Sequence, residues 1–352
     1  MTITDSEKYS ILPAMRRRFG RVKRSMGFDA ATVAQWRKWR KALRARLAEL
    51  TGYDTMVRCP LKPRITDEVD CGDYRRQRVE IQTEPGIIMP LYVLIPKSAR
   101  SRTAAVINPH GHSGGGKVAV AGIRDNPLVT ESIDNHNYDY GVQFARAGLI
   151  SFCPDARGFG ERQERAARTD VLNPSCQFIN HMAHPLGQTV TGMWVWDLHR
   201  LVDYIQTRKD CDAGRIGCAG LSGGGLQTLW ATALDDRIQA AVVSGYFYGY
   251  QQALLEQYGN CSCNYVPHLY EVIDMGDLAA MIAPRPLMIE TGTQDPLNGA
   301  DGMNNVLPQV RIAARAYRLL DARDNLQHDV FEGAHRWHGL RSVPWLVQQL
   351  SP

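Results

Sequence analysis

The stretch Gly220-Leu221-Ser222-Gly223-Gly224 sets a serine between an apolar run and the start of a helical pattern. A serine there can serve as a nucleophile, because a strand-to-helix turn of the form Gly-x-Ser-x-Gly lifts the hydroxyl above a sheet edge. Glycines two before and two after the serine remove side chains that would collide across so sharp a turn. A serine hydroxyl needs a base, and the base needs an acid to orient it. Asp295 follows the apolar run of "PLMIETGTQDP", and His335 follows that of "HDVFEGAHRWHG". The chain order Ser222, Asp295, His335, each after a later apolar run, is the order such a turn calls for. Of the two histidines in the last stretch, His335 comes first after the strand and is expected to be the base, with His338 on the pocket wall or behind it.

An acyl-transfer site also needs donors for developing negative charge. The Gly223 amide opens the helix after the serine, where N–H groups lack intrahelical partners. The second donor is expected to be the amide of His112 in "NPHGHSGGGK", with Gly111 allowing close approach. That stretch lacks the spacing of a phosphate-binding loop. His110, His338, Tyr246 and Tyr265 are further candidates for the substrate pocket. The sets "HGH", "HMAH" and "HRWH" invite a metal reading, but there is no His-Glu-x-x-His, and His181 and His184 lie beside Pro185. Cys261 and Cys263 are read as two packed thiols in a loop. No metal or cofactor is therefore expected.

These residues need a scaffold that brings strand ends together. "QRVEIQT" and "GIIMPLYVLIP" predict an antiparallel pair turning near Pro85-Gly86. Short apolar runs then alternate with helical patterns around 138–147, 191–208, after Ser222, 303–320 and 343–350, which predicts a mostly parallel sheet with helices on both faces. Residues 158–190 and 247–283 are long and weakly periodic, and are expected to be lid-like insertions that shape the pocket. In 29–50, apolar residues at Val33, Trp36, Trp39, Leu43, Leu47 and Leu50 mark one face of a helix. Residues 1–75 are read as a basic helical extension and 76–352 as the catalytic domain.

The motifs together resemble the acetyl xylan esterase-like group of serine esterases among the α/β-hydrolases. "HGH", "DARGFGER" (Asp155–Arg162), "GLSGGG", "APRPLMIETGTQDP" and "GAHRWHG" carry the resemblance, which covers roughly residues 76–350. It implies an α/β-hydrolase fold and ester hydrolysis through an acyl-enzyme, often on acetylated carbohydrate. It also implies that Asp155 and Arg157 brace the loops beside the site. Glucuronoyl esterases of the same broad group carry an arginine directly after the nucleophile, where this chain has Gly223.

Composition narrows the classes further. Of 352 residues, 44% are hydrophobic and 22% charged, as in ordinary globular proteins. No run approaches the length of a membrane span, and "MTITDSEKYS" lacks the apolar core of an export signal. A cytoplasmic protein without membrane partners is expected, and eight scattered cysteines fit that compartment. The net charge is +5, yet residues 1–50 carry thirteen Lys/Arg and four Asp/Glu, leaving the rest of the chain at −4. No nucleic-acid module follows this arm. It is read as a solvated helix face or as a dimer contact to the acidic body, so a homo-oligomer stays open. The expected partner is a small-molecule ester. Peptidase, lactonase and acyltransferase chemistry would use the same triad, and a binding protein on a hydrolase scaffold is the reading without catalysis.

Overall fold

The uninterrupted apolar runs become strands covered on both sides. In the computed structural model, which describes residues 9–100, 102–257 and 260–351, nine strands form one sheet. They are β1 (Arg64–Asp70), β2 (Tyr74–Glu84), β3 (Ile87–Pro96), β4 (Thr103–Ile107), β5 (Ile150–Pro154), β6 (Cys211–Leu221), β7 (Ile238–Ser244), β8 (Leu287–Gly292) and β9 (Leu326–Phe331). Their order is β1-β2-β3-β5-β4-β6-β7-β8-β9. The pairs from β1 to β3 and the β3–β5 pair are antiparallel, and all later neighbours are parallel. The parallel strands point their C-terminal ends to one edge, where open α/β sheets bind ligands. Residues 1–8 of the ten on which the export expectation rests, and residues 258–259 of the second expected insertion, lie outside the described residues.

Two apolar layers cover the sheet. One face holds Tyr140, Phe144, Trp337, Leu346 and Leu350, from helices Tyr140–Arg146 and Ser342–Gln349 and the loop before the latter. The other is covered by helices Val190–Thr207 and Gly223–Leu234, with Trp194, Leu198, Leu229 and Trp230 buried. No described helix is long and apolar enough to cross a membrane.

The expected boundary at residue 75 falls inside the first hairpin, because β1 already pairs with β2. Every residue of β1 is exposed, so "RITDEVD" carries no apolar alternation to mark it as a strand. One strand therefore precedes the expected pair, so that "HGH" follows the fourth strand and "DARGFGER" the fifth.

The N-terminal helix Val33–Thr51 starts on a Thr32/Gln35 capping box and ends at Gly52 in the left-handed conformation. Trp36, Leu43 and Leu47 are buried in the same core as the body. Trp36 Nε1 donates to the Ala280 carbonyl at 3.3 Å and Phe28 N to Asp277 Oδ1 at 2.8 Å. Much of the arm's positive charge meets acids of its own chain: Arg16 pairs with Glu256, Arg24 with Asp277, and Arg40 and Arg44 with Asp236. Within the described part of 247–283, Leu269, Met275 and the run Leu278–Ala283 are buried in the core that this extension shares.

Candidate active site

β6 ends at Leu221, and Ser222 sits at φ 61°, ψ −121° immediately before helix Gly223–Leu234. Positive φ in a non-glycine residue costs on the order of 1–3 kcal/mol and persists only where the surroundings leave no alternative. Here the surroundings are tight. A β-carbon on Gly220 would lie 2.6 Å from the Gly224 backbone, one on Gly224 would lie 2.1 Å from the Pro109 oxygen, and one on Gly225 would lie 2.8 Å from the Ser244 oxygen. The Ser222 amide donates to the Ser244 carbonyl at 2.9 Å, tying the turn to the end of β7.

Asp295 lies just beyond β8. Its Oδ1 accepts from Leu297 N at 2.9 Å, and its Oδ2 is 2.6 Å from His335 Nδ1. A carboxylate only accepts, so the proton of this bond belongs to His335 Nδ1, which leaves Nε2 with a free lone pair. The His335 ring lies over Gly245, where a β-carbon would come within 2.9 Å of Cε1. The loop that carries the ring is held from behind. His136 Nδ1 donates to the His335 carbonyl at 3.0 Å, Trp337 N donates to the His136 carbonyl at 3.0 Å, and the Trp337 ring is fully buried.

The loop after β4 closes the third side. Tyr140 Oη donates to the Pro109 carbonyl at 2.6 Å, and the Gly111 amide donates to Tyr138 Oη at 2.7 Å. A β-carbon on Gly111 would sit 2.9 Å from Ser222 Cβ. The Gly111 amide is thus occupied, whereas the His112 amide has no acceptor among the described residues.

A cavity of about 300 Å³ opens over Ser222, Gly223, His112 and His335. Tyr246, Tyr248, Asn260, Asn264 and Leu297 form its walls. Asn264 Oδ1 is buried without a hydrogen-bond partner. Of the sequence-derived pocket candidates, Tyr246 lines this cavity, whereas Tyr265 and His110 do not, and His338 lies behind it, the second of the two places expected for it. Tyr265 faces a neighbouring cleft and donates its hydroxyl to the Leu254 carbonyl at 2.6 Å. His110 is wholly buried behind the loop, its Nδ1 on the Gly111 carbonyl at 2.8 Å and its Nε2 accepting from Ala156 N at 3.0 Å. Burial lowers its pKa to about 4, so it is neutral. His338 points away from the cavity. Its Nδ1 is 2.7 Å from Asp329 Oδ2, and its ring stacks on Phe331 at 4.4 Å. Glu290 accepts from the amides of His338 and Gly339 and so turns this side chain behind the strands.

Asp155 and Arg157 brace the neighbouring loops. Asp155 is buried and takes both the amide and the ammonium of Lys117, at 2.7 and 2.6 Å. Arg157 bridges Glu84 and Asp197, at 2.7 and 2.8 Å. Burial alone would raise the Asp197 pKa, but Arg157 and Arg162 outweigh it and hold the carboxyl well below its usual range.

The thiols of Cys261 and Cys263 do not pack only on each other. Cys176, from helix Cys176–Ala183, and His112 join them, and one ligand atom from each of the four lies within 4.8 Å of the others. Cys176 is too far away in sequence for a spacing motif to find. Among the described residues, neither His181 nor His184 belongs to a cluster of this kind.

The family model described as Abhydrolase family matches residues 7–338. The protein named "Putative hydrolase YtaP" from Bacillus subtilis (strain 168) is 26% identical over 268 residues, which are 70% of this chain and 83% of that one. The crystal structure of "a putative acetyl xylan esterase (BF1801)" from Bacteroides fragilis NCTC 9343 is similar with a TM-score of 0.76 at 18% identity, covering 95% of this chain and 84% of that chain. A glucuronoyl esterase from Solibacter usitatus gives a TM-score of 0.66 at 17% identity, over 94% and 97% of the two chains. Structural likeness at such identities speaks to the fold, which is that of the α/β-hydrolases.

Proposed function

Because the chain belongs to the Abhydrolase family, we propose that it is a serine carboxylic-ester hydrolase that works through Ser222, His335 and Asp295. The observation that carries this reading is the strained Ser222 at the floor of a cavity that it shares with His335, whose other face is bonded to Asp295. His335 Nε2 takes the Ser222 proton as Oγ attacks the acyl carbon, then returns it to the leaving alcohol. Asp295 fixes the tautomer and stabilises the imidazolium. The amides of Gly223 and His112 hold the oxyanion. Water, activated by the same His335, then breaks the acyl-enzyme.

The cavity volume suits a short acyl group. Asn260, Asn264 and the tyrosines favour a polar alcohol part, as in an acetylated carbohydrate, and the name of one structural relative, a putative acetyl xylan esterase, points the same way. The His112 ring fills the space beside Gly223, where a β-carbon would fall 2.8 Å from Nδ1. An arginine after the nucleophile therefore has no room, and glucuronoyl esters are a poorer fit than acetyl esters. A cytoplasmic location is supported by eight free thiols.

The test is a panel of acetyl, longer acyl, lactone, glucuronoyl and peptide substrates, run beside labelling with a fluorophosphonate probe. Acetyl esters should turn over fastest, with the label on Ser222. Labelling of another serine, or turnover of peptides alone, would overturn the reading.

A further inference from the structure

We propose that Cys176, Cys261, Cys263 and His112 bind one zinc ion directly behind the oxyanion loop. Cys176 Sγ is 3.1 Å from Cys261 Sγ and 3.7 Å from His112 Nε2, and Cys263 Sγ is 3.3 Å from the same nitrogen. All four ligand atoms fall within 4.8 Å of one another. Metal–sulfur bonds of about 2.3 Å and a metal–nitrogen bond of about 2.0 Å in a tetrahedron give edges of roughly 3.5–3.8 Å. The observed separations bracket that value, and they are too short to span a cluster of two or more irons. Three sulfurs and one imidazole are the donor set of a closed, structural zinc site.

The surroundings fit as well. Cys176 and Cys263 are buried, while His112 and Cys261 are half-buried. A cleft lined by His112, Cys176, Cys261 and Tyr265 reaches three of the four ligand residues and offers a route in. Asn264 Nδ2 lies 3.7 Å from Cys263 Sγ and also donates to the Cys261 carbonyl at 2.9 Å, the outer hydrogen bonding that orients thiolate ligands. The other candidate cluster, Glu290, Asp329 and His338, has its valences taken: His338 is bonded to Asp329, and Glu290 accepts two backbone amides.

Binding converts three thiols to thiolates, releases their protons to solvent, and leaves a site of charge −1 with neutral His112 bound through Nε2. The remaining ring proton must then sit on Nδ1, the atom nearest Gly223. The ion would tie three segments, the loop after β4, the helix Cys176–Ala183 and the Cys261–Cys263 turn, into one support for the His112 amide. That catalytic consequence rests on the ester-hydrolase reading, but the metal site itself does not.

The test uses the full chain, produced in zinc-containing medium and purified without a metal-affinity step. Elemental analysis should return about one zinc per chain, and X-ray absorption should fit about three sulfurs near 2.3 Å and one nitrogen near 2.0–2.1 Å. A Cys261→Ser, Cys263→Ser double variant should hold at least tenfold less zinc. Should that variant fail to fold, mercurial titration of the wild-type thiols should release zinc in step with their modification. Zinc-free protein that takes up none on dialysis, a coordination shell without sulfur, or a Cys176–Cys261 disulfide in fresh protein would each overturn the proposal. Fluorophosphonate labelling of Ser222 is read separately, so the loss of one reading leaves the other standing.

Discussion

The ring of His335 rests on the α-carbon of Gly245, with 2.9 Å from its Cε1 to the place where a β-carbon would be. Gly245 stands at φ +56° directly after β7, and its amide donates to the Glu290 carbonyl at 3.1 Å. The strand end beside Ser222 is thus shaped to seat the imidazole. Gly245→Ala should push His335 off Asp295 and lower kcat on the order of a hundredfold or more, since a displacement of about 1 Å has that effect on positioned groups. The strain of a side chain at this φ should cost about 1 kcal/mol of stability. A variant with normal kcat would show that His335 does not act from this seat.

Ser222→Ala and His335→Ala should each reduce turnover by about four orders of magnitude or more, and the double variant should be little worse than either, because the residues act as one unit. His338→Ala should keep kcat within about tenfold of wild type while losing roughly 1–3 kcal/mol of stability, the usual effect of removing a hydrogen-bond partner from a buried carboxylate. Asp329 retains Arg341 at 3.2 Å, which moderates the loss. Steady-state kinetics and denaturant melts on the four variants check this. A dead His338 variant beside an active His335 variant would reverse the roles.

The strand ends that carry Ser222 and Asp295 were legible because β8 and the last residues of β6 are short apolar runs, each followed by a polar loop; β9, with Gln327, His328 and Asp329, is marked only by its closing Val330-Phe331. Apolar runs mark burial, and the alternation of runs with helices marks parallel order. β1 was hidden for the opposite reason, since an edge strand with both faces in solvent has no pattern to read. His338 could not be separated from the pocket by spacing alone. Its direction is set by Asp329 and Glu290, which lie in earlier strands and are tertiary partners. Cys176 stands 85 residues from Cys261, so only the folded chain brings the sulfurs together. Residues 247–283 looked like a loose cover because polar and aromatic residues break their periodicity, yet Leu269, Met275 and the run Leu278–Ala283 are buried in the core that Trp36, Leu43 and Leu47 share.

Trp36 gives a test of what the N-terminal extension does. Its ring is 7% exposed, in the core shared with the body, and its indole N–H reaches Ala280. Trp36→Ala should destabilise the fold by about 3–5 kcal/mol, the range for a large aromatic deleted from a core. The kcat measured well below the melting temperature should stay near wild type, because the residue is remote from the cavity. Lost catalysis with an unchanged unfolding midpoint would mean that the extension acts on the chemistry and not on stability.

His110 should make the loop after β4 sensitive to acid. Burial lowers its pKa from 6.5 to about 4, and both ring nitrogens are engaged in the neutral form, Nδ1 with the Gly111 carbonyl and Nε2 with the Ala156 amide. Between the two values the unfolded chain binds a proton that the folded chain refuses. Stability therefore falls as pH drops from 6.5 towards 4, and below 4 both states are protonated and the loss levels off. At 1.36 kcal/mol per unit the full effect is about 3 kcal/mol, of which roughly 2–3 should be lost by pH 4.5. Carboxylates change protonation over the same range, and burial lowers the His199 pKa too, so the readout is a difference between proteins. His110→Gln should be less stable than wild type at pH 7, because an amide cannot meet both backbone groups in the same places. It should also lose about 2–3 kcal/mol less than wild type between pH 7 and pH 4.5 in urea denaturation. Equal losses in the two proteins would mean that His110 carries its proton inside the fold, and that the loop beside Ser222 is held in some other way.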